Sequence, residues 1–268
     1  MKKRIITACI GVPIIIVALI YGGWVAELLI SFFTIIALKE YNDALVKAGY
    51  SICPWGGYLA AMLMWPLARM KGALDPLILV TAAMGVSMTG VILSKEPSFP
   101  NASASVYPIF TALLPMSMFM MMMSKQFGQV SGKALVAMAF SIALVGDASA
   151  YFGGRLWGKR KLCPKVSPKK TVEGAICYLA GGIVASLICR AVFVYGLHKP
   201  MPGIPAAILL GILGAVAGQI GDLSASLLKR YCGIKDYGKI FPGHGGVMDR
   251  FDSVIFTLIV LYCYTLVL

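Results

Sequence analysis

About nine apolar runs, each near the length that crosses a bilayer, leave this chain little room to fold as a water-soluble domain. They can be read at residues 5–22, 24–38, 54–68, 76–93, 106–123, 134–153, 174–197, 203–221 and 253–268, and spanning the hydrocarbon core takes about 20 helical residues. A mean hydropathy of +0.84 with only 13% charged residues excludes an ordinary soluble domain. The expected fold is an all-α polytopic membrane protein with its N-terminus cytoplasmic. The second and third runs are short and the second carries Glu27, so eight spans or a re-entrant pair near the start is the alternative count. The first run follows Met-Lys-Lys-Arg and is read as a retained helix, because no small-residue cleavage site is followed by a soluble domain. Two regions are expected: N-terminal helices over 1–130, and a catalytic region over 131–268 with cytoplasmic loops at 154–173 and 222–252.

Basic residues set the orientation, since Lys and Arg accumulate in cytoplasmic loops. Nine spans with the N-terminus inside put 18 of the 24 basic residues on the cytoplasmic side. A net charge of +13 therefore reflects helix flanks facing anionic membrane lipids rather than nucleic acid. The seven cysteines show no C-x-x-C spacing and are expected to be free thiols. The run "MSMFMMMM" at 116–123 is read as a packing or lipid-facing surface rather than a soft-metal site.

The acidic residues are more informative. Glu27, Glu40, Asp43, Asp75 and Glu96 fall mostly near helix ends and are read as solvated caps. Asp147, Glu173, Asp222, Asp236, Asp249 and Asp252 all fall in polar, glycine-containing stretches. The topology puts Asp147, Glu173, Asp222, Asp249 and Asp252 at cytoplasmic helix ends, where they can converge on one site. A carboxylate at the edge of hydrocarbon is costly, so each needs a basic partner or a metal ion. Hard oxygen ligands without a His/Cys cluster point to magnesium.

Two polar stretches carry the charge. Residues 222–252 combine carboxylates with Lys229, Arg230, Lys235, Lys239 and Arg250 around "GHGG" at 243–246. Glycines such as Gly245 and Gly246 let the backbone approach an anion, and free N–H groups at a helix start bind phosphate oxygens. Asp249 is the expected metal ligand there, while Asp252 is divided between ligand and helix cap. The other stretch, 146–174, contains seven basic residues between Arg155 and Lys170. Within it Ser167, Lys169, Lys170 and Thr171 form a donor set suited to a polyphosphate.

Residues 226–252, "SLLKRYCGIKDYGKIFPGHGGVMDRFD", resemble the signature of the phosphatidate cytidylyltransferases, also called CDP-diacylglycerol synthases. The pattern is Ser226, Lys229-Arg230, Lys235-Asp236, Gly238, Pro242-Gly-His-Gly-Gly and Asp249-Arg250-x-Asp252. Gln219-x-Gly221-Asp222 and the set Asp147, Ala150-Tyr151, Gly154-Arg155, Gly158-Lys159, Ser167-Pro-Lys-Lys-Thr171 and Glu173-Gly174 are similar to that family too. Ser149, where many relatives have glycine, and Val172, in place of a frequent tryptophan, depart from it without touching a charged position. The resemblance is strong over 146–252, and the first 130 residues match only in being helical and apolar.

What the resemblance implies is transfer of a cytidylyl group from CTP to phosphatidic acid, giving CDP-diacylglycerol and pyrophosphate. Asp222 and Asp249 are then the expected magnesium ligands, with Asp147 a third; a second cation is compatible with the number of carboxylates. Lys229, Arg230, Lys235, Lys239, Ser167, Lys169, Lys170 and Thr171 are assigned to substrate phosphates, and Ser226, Gly245, Gly246 and Arg250 to the same binding region. His244 is either a general acid for pyrophosphate or a backbone-orienting residue in a tight turn, with the second reading favoured. The alternatives are another membrane lipid nucleotidyltransferase or lipid kinase, or an anion transporter built on helices broken near Pro108 and Pro115. A homodimer, and a bacterial cytoplasmic membrane with the site facing the cytoplasm, complete the expectation.

Overall fold

The structure, a computed structural model, describes residues 22–70, 75–241 and 245–268. Eight helices are present among them: α1 Gly23–Lys47, α2 Trp55–Arg69, α3 Pro76–Ile92, α4 Phe99–Ser124, α5 Gly132–Trp157, α6 Val172–Gly196, α7 Ile204–Tyr231 and α8 Met248–Thr265. Two antiparallel hairpins join them, β1 Gln126–Phe127 with β2 Val130–Ser131, and β3 Lys161–Cys163 with β4 Ser167–Thr171. Every apolar run after the first is helical, as expected for an all-α membrane protein; the run at 5–22 lies outside the described residues.

Four helices, α4, α5, α6 and α7, are long and apolar enough to cross a membrane. The α1 helix has the length, with 25 residues, but its second half carries Lys39, Glu40, Asp43 and Lys47. Expected breaks near Pro108 and Pro115 are not breaks. The α4 helix runs through both prolines, taking up the missing N–H in a π-helical turn, Ile109–Leu113.

The helix ends differ from expectation in a way that matters for the site. The stretch 222–252 does not start as a loop, because α7 continues ten residues past 221, to Tyr231. Its sequence "DLSASLLKRY" is polar yet rich in good helix formers. The helix stops where Gly233 takes φ +63 and the N–H groups of Gly233 and Ile234 return to the carbonyls of Arg230 and Lys229, a C-terminal closure that requires the left-handed conformation. Likewise α5 reaches Trp157, so Asp147, Tyr151 and Arg155 share one helix.

The chain forms two compact units. One holds the described residues up to Ser124 with Lys229–Arg250, and the other holds Lys125–Leu228 with Phe251–Leu268. In the first, Ala37, Leu38, Tyr41, Met64 and Leu113 are buried together with Met116, Met120 and Met122, which makes the methionine run mainly a packing surface. The second is built on close helix contacts at small residues. Gly146 lies under the Tyr178 ring, Gly153 meets Cys177 and Gly182 meets the backbone of Gly211, while Ser186 donates to the Ala207 carbonyl at 2.8 Å. Such packing brings helix backbones together without a hydrophobic driving force. The described cysteines are all free.

Candidate active site

In the second unit, α5 and α6 run antiparallel and the β3–β4 hairpin joins their ends. Thr171 closes the start of α6, its Oγ1 accepting the Gly174 N–H at 3.1 Å. Cβ atoms at Gly154, Gly158 or Gly174 would crowd that hydroxyl. Glu173 accepts the N–H groups of Lys159 at 3.0 Å and Arg160 at 3.3 Å, so it ties down the hairpin's approach.

These elements and α7 enclose a cavity of about 360 Å³ lined by Asp147, Arg155, Lys169, Lys170, Thr171, Tyr178, Gln219 and Asp222. Within it the Lys170 ammonium forms an ion pair with the Asp222 carboxylate. Asp222 Oδ1 also lies 3.4 Å from the Ser226 hydroxyl one turn along α7. Both members of the pair keep about a quarter of their side-chain surface exposed, so the charge is screened but still directed. Ser167 stands at the start of β4, paired with Cys163, and does not line the cavity. Asp252 lies inside α8, as its fifth residue, and its Oδ1 accepts the Ser253 N–H at 2.8 Å. It is therefore a helical residue and not the N-cap.

Tyr178 is the residue of this unit that sequence reasoning missed. It is 2% exposed, with its ring on Gly146 and its hydroxyl against Gly218. Its hydroxyl donates to the Ala143 carbonyl at 3.4 Å, and it lines the cavity with Asp147 and Asp222. The legible signal was a pair of glycines, each one residue before a polar member of the set, Asp147 or Gln219.

In the first unit, the stretch after α7 folds around Asp249. Oδ1 receives the Lys229 ammonium at 2.7 Å, and Oδ2 receives the N–H groups of Tyr237 at 2.8 Å and Gly246 at 2.9 Å. The Lys229 ammonium also stands 5.3 Å from the Tyr237 ring centroid, a cation–π contact. The two charged side chains are 12% and 4% exposed. Gly245 holds φ +85, and Phe241 donates to its carbonyl at 3.0 Å. Pro242, Gly243 and His244 lie outside the described residues. Arg230, Lys235, Lys239 and Arg250 are exposed.

Glu40 corrects an expectation. Read as a solvated cap, it is 5% exposed, and its Oε1 and Oε2 accept the N–H groups of Val247 and Met248, each at 2.9 Å. Glu27 is also buried, at 6% exposed, and pairs with Arg69 at 2.9 Å. The others behave as read: Asp75 caps α3 through the Leu77 N–H, and Asp43 pairs with Lys39 in solvent.

Among the described residues, no three His, Cys, Asp or Glu side chains form a group that could hold a metal ion. The donor sets remain suited to a hard cation. Asp147 and Asp222 line one cavity with lysines and an arginine. Oδ1 of Asp249 accepts from Lys229 at 2.7 Å, and a carboxylate oxygen offers two lone pairs. Magnesium typically takes one or two carboxylates and completes its shell with water and phosphate oxygens.

An α-helical membrane protein whose cavity sets carboxylates beside Lys and Arg has the equipment of an enzyme that handles polyphosphates. The cytidylyltransferase family model matches residues 2–268, and the chain belongs to that family. It is 32% identical over 259 residues to the phosphatidate cytidylyltransferase of Staphylococcus haemolyticus (strain JCSC1435), covering 96% of each chain. The phosphatidate cytidylyltransferase of Staphylococcus aureus (strain N315) is 32% identical over 265 residues, again with 96% of each chain covered.

Proposed function

We propose that this membrane protein is a phosphatidate cytidylyltransferase that converts CTP and phosphatidic acid to CDP-diacylglycerol and pyrophosphate. The observation that carries the reading is the cavity in which Asp147 and Asp222 stand beside Arg155, Lys169 and Lys170. Family membership along the whole chain supports it.

The chemistry is a meeting of two anions. A lipid phosphate oxygen forms a bond to the α-phosphorus of CTP, the bond from that phosphorus to the bridging oxygen breaks, and pyrophosphate leaves with the electron pair. The lipid phosphate is already ionised, so no strong general base is needed. The main barrier is mutual repulsion, which positioned cations lower most where water is scarce. Lys169, Lys170 and Arg155 supply positive charge inside the cavity. The pair with Asp222 holds the Lys170 ammonium in place before substrate arrives, so little reorganisation is required when phosphate binds. Arg155 offers a planar fork that matches two phosphate oxygens. Lys229, Arg230, Lys235, Lys239 and Arg250 are further phosphate contacts in this reading, with Ser167, Thr171 and Ser226 as hydroxyl donors.

Asp222 and Asp249 are the proposed ligands of Mg²⁺, with Asp147 and Asp252 as additional carboxylates. Bound there, the ion would neutralise phosphate oxygens and stabilise the departing pyrophosphate. The site faces the cytoplasm in the orientation that the basic residues favour, and the active assembly is proposed to be a homodimer.

Purified protein with phosphatidic acid, Mg²⁺ and CTP labelled at either the α- or the γ-phosphorus tests the reaction. The α-label is expected in the lipid product and the γ-label in pyrophosphate. Asp222→Asn is expected to lower turnover at least about 100-fold, the size found for loss of a charge-stabilising group. No α-label in lipid with the unaltered protein overturns the proposal, and γ-label in lipid makes it a lipid kinase.

A further inference from the structure

We infer that Glu40, far from every polar motif in the sequence, is a positioning residue for the catalytic glycine loop: its carboxylate is the anion that Gly238 and Gly246 make room for. Both oxygens of Glu40 are engaged. Oε1 accepts the Val247 N–H and Oε2 the Met248 N–H, each at 2.9 Å. These are among the first N–H groups of α8, which have no partner within the helix. The helix dipole adds a favourable field for a negative charge at that end. A Cβ placed on Gly238 would collide with Glu40 Oε1, and one on Gly246 would collide with the whole carboxylate. Neither glycine has a positive φ among those recorded for the chain, so space rather than backbone conformation explains their lack of a side chain.

The contact bears on the reaction through Asp249. Gly246 donates its N–H to Asp249 Oδ2 at 2.9 Å, and the next two residues donate to Glu40. One short segment thus bridges two carboxylates, and fixing Val247 and Met248 fixes the donor that orients Asp249. Glu40 touches no reacting atom in this account. The inference rests on the cytidylyltransferase reading for its link to turnover, but the anchor itself is testable without turnover.

The experiment compares Glu40→Gln, Glu40→Ala, Gly246→Ala and the double variant Glu40→Ala/Gly246→Ala in the full chain. Gln keeps the shape but offers one acceptor, so its NH2 faces one of the two backbone N–H groups. Its kcat is expected to fall about 10- to 100-fold, the size of one lost charge-assisted hydrogen bond, with KM for CTP changed by less than about threefold. Amide exchange over 238–248, followed by mass spectrometry, is expected to speed up in Glu40→Gln and Glu40→Ala. Gly246→Ala should be as impaired as Glu40→Ala, and the double variant no worse than either, because removing the carboxylate frees the space that the new methyl needs.

Unaltered kcat in Glu40→Ala, an effect on KM alone, unchanged exchange over 238–248, or multiplicative losses in the double variant would each overturn the inference. So would aggregation of Glu40→Gln, which would make the residue a general determinant of folding. If the unaltered protein forms no CDP-diacylglycerol, the functional reading fails, while the exchange result still decides whether Glu40 anchors the loop.

Discussion

Replacing Asp249 by Asn, Lys229 by Met, and both together isolates the buried ion pair that organises the stretch after α7. The charges are 2.7 Å apart, with side chains 12% and 4% exposed. At an effective dielectric of about 20, their attraction is roughly 6 kcal/mol. Most of that offsets desolvation, so the pair's net worth is much smaller than its gross attraction. Removing one partner is another matter, because it leaves the other charge buried and uncompensated, at a cost of about 3–5 kcal/mol. Asp249→Asn also puts an amide NH2 where Oδ atoms accept from Lys229, Tyr237 and Gly246. Each single variant is therefore expected to lose about 3–5 kcal/mol in SDS-driven unfolding from mixed micelles. The double variant should lose less than the sum by about 2 kcal/mol or more, the signature of a coupled pair. Turnover should be abolished in all three. Single variants that lose under about 1 kcal/mol and combine additively would refute the assignment of this pair as the organiser of the loop.

Two further outcomes follow from the cavity in the second unit. Lys170→Ala removes the cation that faces Asp222 and should raise the apparent KM for CTP or phosphatidic acid about tenfold or more in steady-state assays; unchanged kinetics would return the basic hairpin to a purely topological role. Thr171→Val deletes the hydroxyl that accepts the Gly174 N–H while keeping the side-chain volume. It should cost about 1 kcal/mol of stability by loss of the α6 cap, read as a lower unfolding midpoint, and a midpoint equal to the unaltered protein's would refute that role.

Hydropathy made the helices legible because an apolar run of bilayer length has few other uses. It was poor at helix ends. The polar extension of α7 from Asp222 to Tyr231 carries no hydropathy signal, yet nothing in "DLSASLLKRY" breaks a helix until Gly233. The site's residue types were legible from Asp147, Lys170 and Asp222, which the fold brings to one cavity. Their particular pairings were not, since the Lys170–Asp222 ion pair joins β4 to α7 and no local periodicity encodes it. Glu40 was hidden more deeply. Its partners are 207 and 208 positions away, and an acid near the polar end of a helix looks the same in sequence whether it faces water or a glycine loop.

That concealment changes how the glycine-rich stretch should be understood. Glycines ahead of a helix suggest a phosphate cradle made of backbone N–H groups, and three such groups do point at carboxylates here. Gly246 serves Asp249, while Val247 and Met248 serve Glu40. A phosphate can use those donors only by displacing a buried acid from the start of a helix, where its charge is favoured. Side-chain cations are not so committed: Lys169 and Arg155 line the cavity, and Lys170 is held at a carboxylate with about a quarter of its surface open. In the proposed reaction these side-chain cations, rather than the backbone N–H groups ahead of α8, are the groups open to substrate phosphates. On the proposed reaction, the cavity's lysines and arginine supply charge to the substrates, while the backbone N–H of Gly246 holds the Asp249 carboxylate in place.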